Sequence, residues 1–238
     1  MKDEEKTKVQ LIKELQKMHG KVAELEKVKV MCNQLEKELK QAYKKLVKFI
    51  EGTANIITKV VETRDPYSTG NQQKVSKLAT AISQEMKLPQ DKIEGTRIAS
   101  LVHDIGKVNL PTEILSNPSK LNEMEFSLIK NHPKVGYDIL RKIDFPWPVA
   151  RIVLQHHERL DGSGYPQGLK GDEILLEAKI MGVADVVEAM SSHRPYRPSL
   201  GTDKALEEII QNRGTLYDPE VVDICLKLFK EKSFKFES

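Results

Sequence analysis

Four of the six histidines in this 238-residue chain, His103, His132, His156 and His157, are interleaved with the acids Asp104 and Asp185. Imidazole nitrogens and carboxylate oxygens together suit transition metals of intermediate hardness, such as iron, manganese or zinc. His103-Asp104 could reach one pocket from a helix end, and one carboxylate could then bridge two ions. Adjacent His156 and His157 would repel one another when protonated unless a metal held them. Asp185 lies in the apolar run Ile180-Met181-Gly182-Val183-Ala184-Asp185-Val186-Val187, where a carboxylate is costly without a partner and a cation would supply one. Four imidazoles and two carboxylates suffice for a dinuclear site, and two ions close together can clamp a phosphodiester and generate hydroxide near neutral pH. Lys107, a turn beyond His103, would then neutralise phosphate charge or protonate the leaving oxygen. Arg194 and Arg197 form a proline-stiffened pair suited to bidentate phosphate binding.

The elements that must position these groups read as helices. Apolar residues at Leu11, Leu15, Met18, Val22 and Leu25 alternate in steps of four and three. After a short step to Val28 the series resumes at Cys32, Leu35, Leu39, Ala42 and Leu46. This is a heptad seam with one stammer, and it predicts a coiled coil over residues 1–51. From about residue 52 the pattern turns to short amphipathic helices divided by Pro and Gly. Asp65-Pro66 and Thr69-Gly70 break one helix, and Asn71 is placed to cap the next. A helix starts at Leu88-Pro89 and runs through Val102 to a stop at Gly106. Others are expected near 122–131, 134–142, 148–158, 177–191, 203–212 and 219–230, with a structured Gly/Asp/Pro-rich loop at 160–176. Alternating β-branched stretches are nearly absent, so the fold class is all-α: a helical bundle over 52–238 preceded by a long N-terminal helix.

Charge and cysteine usage narrow the class further. Residues 1–50 carry 13 Lys+Arg against 8 Asp+Glu, whereas residues 51–238 carry 25 against 27, so the body is not a basic DNA-binding surface. Cys32 and Cys225 have no partner spacing and fit free thiols in a reducing compartment. No run approaches the ~20 apolar residues of a membrane span, and the charged N-terminus is not a signal peptide. A cytoplasmic module, a homodimer through its helix and an output unit of a longer sensor, is the expectation.

The order of motifs resembles the HD-GYP family of metal-dependent phosphodiesterases, a branch of the HD superfamily. The matching residues are Arg64-Asp65-Pro66-Tyr67 with Thr69-Gly70, His103-Asp104-Ile105-Gly106-Lys107, Asn131-His132-Pro133 and His156-His157-Glu158. Asp161-Gly162-Ser163-Gly164-Tyr165-Pro166, Asp185, Arg194-Pro195-Tyr196-Arg197 and Tyr217-Asp218-Pro219 complete the series, so the resemblance spans roughly residues 52–230. It implies an HD-type helical bundle that hydrolyses cyclic di-GMP to pGpG or onward to GMP, using iron or manganese. The implied metal ligands are His103, Asp104, His132, His156, His157 and Asp185. Lys107 and Asp65 would assist Asp104 in catalysis, while Tyr165, Arg194 and Arg197 would contact substrate. The Gly164-Tyr165-Pro166 loop is also a surface for protein partners. One departure stands out: Gly70-Asn71-Gln72 replaces the family's Gly-His-Ser, whose histidine is a metal ligand. Asparagine is a much weaker ligand for such metals. Tyr67 stands where three-metal members carry glutamate, so two ions are expected. The competing reading is a weakened or inactive member that binds nucleotide or protein and signals through its helix.

Overall fold

The computed structural model describes residues 7–64, 70–116, 122–193 and 198–236. Its first element, α1 (Lys8–Glu62), is a single 55-residue helix without proline. The chain divides into two compact units, Met1–Ile50 and Glu51–Ser238. In the first unit, residues 7–46 are all exposed, the heptad residues included: Leu25 is 66% and Leu39 72% accessible. No helix among the described residues is long and apolar enough to cross a membrane.

α1 continues eleven residues beyond the boundary that composition suggests. Gly52 costs a helix only ~1 kcal/mol relative to alanine. The last turns offset that cost by burying Ala54, Thr58 and Val61 in the second unit. There Thr58 Oγ1 donates to the Leu101 carbonyl at 2.7 Å. Arg97 joins Glu51 at 2.8 Å and Glu94 at 2.7 Å.

The second unit continues with α2 (Asn71–Glu85), α3 (Gln90–Val102), α4 (Thr112–Leu115), α5 (Glu123–Ile129), α6 (His132–Leu140) and α7 (Val149–Gln155). α8 (Leu176–Ser191), α9 (Thr202–Gln211) and α10 (Pro219–Lys230) complete it. No strand occurs among the described residues, only an isolated bridge between Arg213 and Tyr217. The fold is all-α, as the periodicity predicts. α8 is the central helix and packs against α2, α3, α7, α9 and α10. Its Ile180, Met181, Ala184 and Val187 are wholly inaccessible. Leu78 and Ile82 of α2, Ile98 of α3, Ile152 of α7, Ile209 of α9 and Cys225 of α10 close the core around it. Each large aliphatic side chain buried this way contributes about 1.5–3 kcal/mol. Burial also pushes the Cys225 thiol up to about 12, while Cys32 is exposed.

Helix starts follow local chemistry, with one difference from expectation. Asp218 accepts from the Glu220 and Val221 amides at 3.1 and 3.4 Å ahead of Pro219, and Asn122 and Glu125 form a reciprocal capping box. Asn71 does not cap α2. It is the helix's first residue, preceded by left-handed Gly70 (φ 78°), whose amide donates to the buried Glu62 carboxylate at 2.8 Å. The sequence pattern also misses a 3-10 turn, Ile105–Asn109, which carries the chain away from the end of α3.

That turn lies directly against the start of α6. A Cβ on Gly106 would collide with the His132 carbonyl oxygen and stand 2.7 Å from the Gly136 amide nitrogen. Both obstacles are backbone and cannot swing aside. Gly106→Ala is therefore expected to destabilise the second unit by about 3 kcal/mol, the upper range for overpacking. The check is the denaturation midpoint at unchanged m-value.

Candidate metal centre

Three helix ends and the middle of α8 converge on one interior point. His103 follows the last residue of α3, His132 opens α6 and His156 follows α7, while Asp185 projects from α8. The three helix-end histidines share one local geometry. Nδ1 of His103 lies 2.7 Å from the Ser100 carbonyl, Nδ1 of His132 2.7 Å from that of Ile129, and Nδ1 of His156 2.6 Å from that of Val153. A carbonyl only accepts, so each Nδ1 carries the proton and each Nε2 presents a lone pair when the ring is neutral.

These Nε2 atoms face each other and the two aspartates. His103 Nε2 is 3.5 Å from Asp104 Oδ2 and 3.7 Å from Asp185 Oδ1, and His132 Nε2 is 3.5 Å from Asp104 Oδ1. Asp104 thus offers one oxygen to each of two histidines, the arrangement a bridging carboxylate needs. Ring centroids lie 5.3 Å apart for His103 and His156, 5.1 Å for His132 and His157, and 4.0 Å for His156 and His157. Two triads result, His132/His156/His157 and His103/His156/Asp185, with ligand atoms in each within 4.8 Å of one another.

Burial and charge set the protonation of four of these groups. Burial, reinforced for His156 by His103 and for His157 by His156, holds both imidazoles well below their ordinary value. Burial likewise lowers His132 to about 4, against the pull of Asp104. Burial alone would raise the Asp104 carboxyl, but the Lys107 ammonium, 2.8 Å away, together with His103 and His132 holds it well below the usual carboxylate range. The outcome at neutral pH is that His132, His156 and His157 are neutral and Asp104 is ionised. His132 Nε2 and His156 Nε2 are buried yet have no hydrogen-bond partner among the described residues. An unpaired buried acceptor costs about 1–3 kcal/mol, and a divalent cation would satisfy both nitrogens. The residues fit such an ion.

The structure brings together all six residues expected as ligands, with Lys107 beside Asp104. Tyr165 joins them through its ring, 4.7 Å from that of His157, and through its amide, which donates to the His157 carbonyl at 3.2 Å. Burial first, then the Asp185 charge, pushes the Tyr165 phenol up, so it remains protonated. Asn71 is buried in the first turn of α2. Asp65, Tyr67, Arg194 and Arg197 lie outside the described residues. Two neighbours carried no expectation from sequence. Lys130 places its ammonium 5.6 Å from the centre of the Tyr165 ring. Glu158 sits beneath the loop that bears Tyr165, its carboxylate held by two backbone amides. The only signal for Glu158 was its position beside the histidine pair; Lys130 had none.

The comparisons accord with this geometry. The family model described as HD domain matches residues 55–221, and the chain belongs to the HD domain family, in keeping with its HD-GYP motifs. It is 36% identical over 204 residues to the cyclic di-GMP phosphodiesterase response regulator RpfG of Xanthomonas campestris pv. campestris, covering 85% of this chain and 54% of that protein. Against the 3'3'-cGAMP-specific phosphodiesterase 3 of Vibrio cholerae it is 36% identical over 172 residues, covering 72% of this chain and 37% of that one. The chain therefore spans about half, or less, of the length of these relatives. Bd1817, an HDG"Y"P protein from Bdellovibrio bacteriovorus, superposes with a TM-score of 0.59 at 18% identity, covering 77% of this chain and 64% of its own, and so shares the fold.

The Tyr165 loop depends on one close approach. A Cβ on Gly164 would strike the backbone of Glu158 and Arg159 and stand 2.5 Å from the His157 carbonyl oxygen. Gly164→Ala should lift the loop from the cluster while leaving the helices in place. Faster proteolytic cleavage within 161–169, at unchanged far-ultraviolet circular dichroism, is the expected result.

Proposed function

We propose that this chain is a metal-dependent phosphodiesterase that hydrolyses cyclic di-GMP to pGpG, GMP or both in bacterial second-messenger signalling. The observation that carries the reading is the pair of buried, partnerless imidazole nitrogens on His132 and His156, with Asp104 spanning His103 and His132. His103, Asp104, His132, His156, His157 and Asp185 would hold two divalent ions, iron or manganese. Such ions, when bound, neutralise the phosphodiester and acidify an attacking water. The chain's own groups do the rest. Asp104 sits between the two groups of residues, and Lys107, held by Asp104 at 2.8 Å, would neutralise phosphate charge or protonate the departing oxygen. Tyr165 offers an aromatic face and a protonated hydroxyl to the nucleotide. Asp65, Arg194 and Arg197 complete the catalytic and phosphate-binding set by resemblance. Cyclic di-GMP is favoured as substrate by the likeness to RpfG. The likeness to a 3'3'-cGAMP-specific enzyme makes that dinucleotide the competitor to test. The Gly164-Tyr165-Pro166 loop would also receive protein partners, and the setting would be cytoplasmic.

A second reading, a weakened or inactive member that signals by binding, is favoured by Asn71 alone. One assay separates them. With iron or manganese supplied under reducing conditions, two metals per chain and turnover of cyclic di-GMP exceeding that of 3'3'-cGAMP are expected. Asp104→Ala should lower turnover by about a hundredfold or more, beyond the cost of disturbing an outer-shell group. Asn71→His should raise metal occupancy. Tight nucleotide binding without turnover in any metal would leave the second reading standing.

Residues 1–51 would serve as the dimerisation helix and 52–238 as the catalytic domain. Leu15, Val22, Cys32, Leu39 and Leu46 occupy a positions, and Leu11, Met18, Leu25, Val28, Leu35 and Ala42 occupy d positions, all on the exposed helix. A second copy would cover this seam, in parallel. A parallel pair sets Lys21 at g against the partner's Glu26 at e. An antiparallel pair centred on Cys32 sets Glu26 against the partner's Glu36 and Lys21 against the partner's Lys45, all like charges. Mild oxidation should therefore give a Cys32-linked dimer. Val22→Cys in a Cys32→Ser background should cross-link as well, whereas an antiparallel pair would leave it monomeric on a non-reducing gel.

A further inference from the structure

Glu158 follows directly after His156-His157, yet its side chain turns away from the cluster. It is only 5% exposed. Oε1 accepts from the Gln167 amide at 2.7 Å and Oε2 from the Leu169 amide at 3.0 Å. Both carboxylate oxygens are thus spent on the stretch of loop just after Tyr165-Pro166. Bonds from backbone amides to an ionised carboxylate are about twice as strong as neutral ones, and a buried carboxylate is tolerated only when so satisfied. On the other side of Tyr165, its own amide donates to the His157 carbonyl and Gly164 lies against the backbone of residues 157–159. The tyrosine is consequently held from both directions by three consecutive residues: His157 with its carbonyl, Glu158 with its carboxylate and Arg159 through close backbone contact.

We infer that Glu158 is a positioning residue for nucleotide binding, a clamp that fixes the Tyr165 ring over His157 and so sets substrate affinity without touching substrate or metal. The inference rests on the phosphodiesterase reading for the identity of the ligand. The geometry of the clamp stands apart from it. One short turn thereby couples two tasks, because the backbone that aims His157 inward also aims Glu158 under the loop. The glutamate's role differs from that of a ligand, since neither of its oxygens faces an imidazole nitrogen.

Glu158→Gln keeps the size of the side chain but replaces one acceptor with an NH2 donor, so one of the two amides loses its bond. Hydrogen exchange at Gln167 and Leu169 should accelerate about tenfold or more, the scale of one charge-assisted bond, while the core amides of α2 and α8 keep wild-type rates. In the metal-loaded protein, KM for cyclic di-GMP should rise about tenfold, with kcat within about threefold of wild type and metal content per chain unchanged. A fall in metal content and kcat together would overturn the inference and assign Glu158 to the metal ligands instead. Unchanged exchange at Gln167 and Leu169 would overturn it too. Should the variant fail to fold, the wild type still decides: these two amides must exchange far more slowly than the exposed Ser163 amide, or the clamp does not exist. If the wild-type protein turns over no cyclic dinucleotide, the phosphodiesterase reading fails separately. The clamp is then judged by exchange and by cyclic di-GMP affinity in place of KM.

Discussion

The site depends on one interaction made three times: a histidine at a helix end giving its Nδ1 proton to the carbonyl three residues before it. The bond is local and requires no distant partner, so each helix carries a pre-aimed imidazole into the fold. It sets the tautomer, leaving Nε2 with its lone pair, and it sets the ring plane. Had any of the three rings been turned over, a proton would point into the cluster and oppose a cation. The arrangement also explains why two buried nitrogens make no hydrogen bond among the described residues. Their donors have been assigned elsewhere, and the fold accepts the resulting cost at the place where a divalent ion would remove it.

Around this, charge is distributed with economy. Asp104 would resist ionisation if burial acted alone, but Lys107 and two flanking histidines reverse the balance. The carboxylate remains charged although it is buried. Asp185 reaches the same point from α8, the helix that carries much of the apolar core. The central packing helix therefore also carries a member of the cluster, and rigidity of the core becomes rigidity of the site. Close backbone contacts at Gly106 and Gly164 serve the same end. They bring the turn after His103 against the start of α6 and bring the tyrosine loop against the histidine pair, at separations no side chain allows.

Much of this was legible beforehand. The helix expected near 219–230 forms, and Asp218 caps it ahead of Pro219, a start signal that needs nothing from the remainder of the chain. The ligand types were legible for a similar reason: imidazole and carboxylate are chemically distinctive, and a lone aspartate in an apolar run demands a partner. Less legible were features in which tertiary packing overrides local preference. The sequence pattern changes at about residue 52, yet burial of Ala54, Thr58 and Val61 carries α1 through Gly52 to Glu62. Asn71 has the composition of a cap, but left-handed Gly70 takes the position before the helix, tied to Glu62 through its amide, and the asparagine becomes the first helical residue.

The amino-acid sequence by itself determined the helical class, the exposed heptad seam and the inventory of metal-binding groups, because each follows from periodicity or from side-chain chemistry. Only the tertiary structure decided how those groups are used. It bonded Nδ1 rather than Nε2 to the backbone in three histidines, turned the two oxygens of Asp104 toward different rings, and gave Glu158 to the loop rather than to the cluster. Those choices depend on directions in space, and the order of residues along a chain leaves direction open until the helices pack.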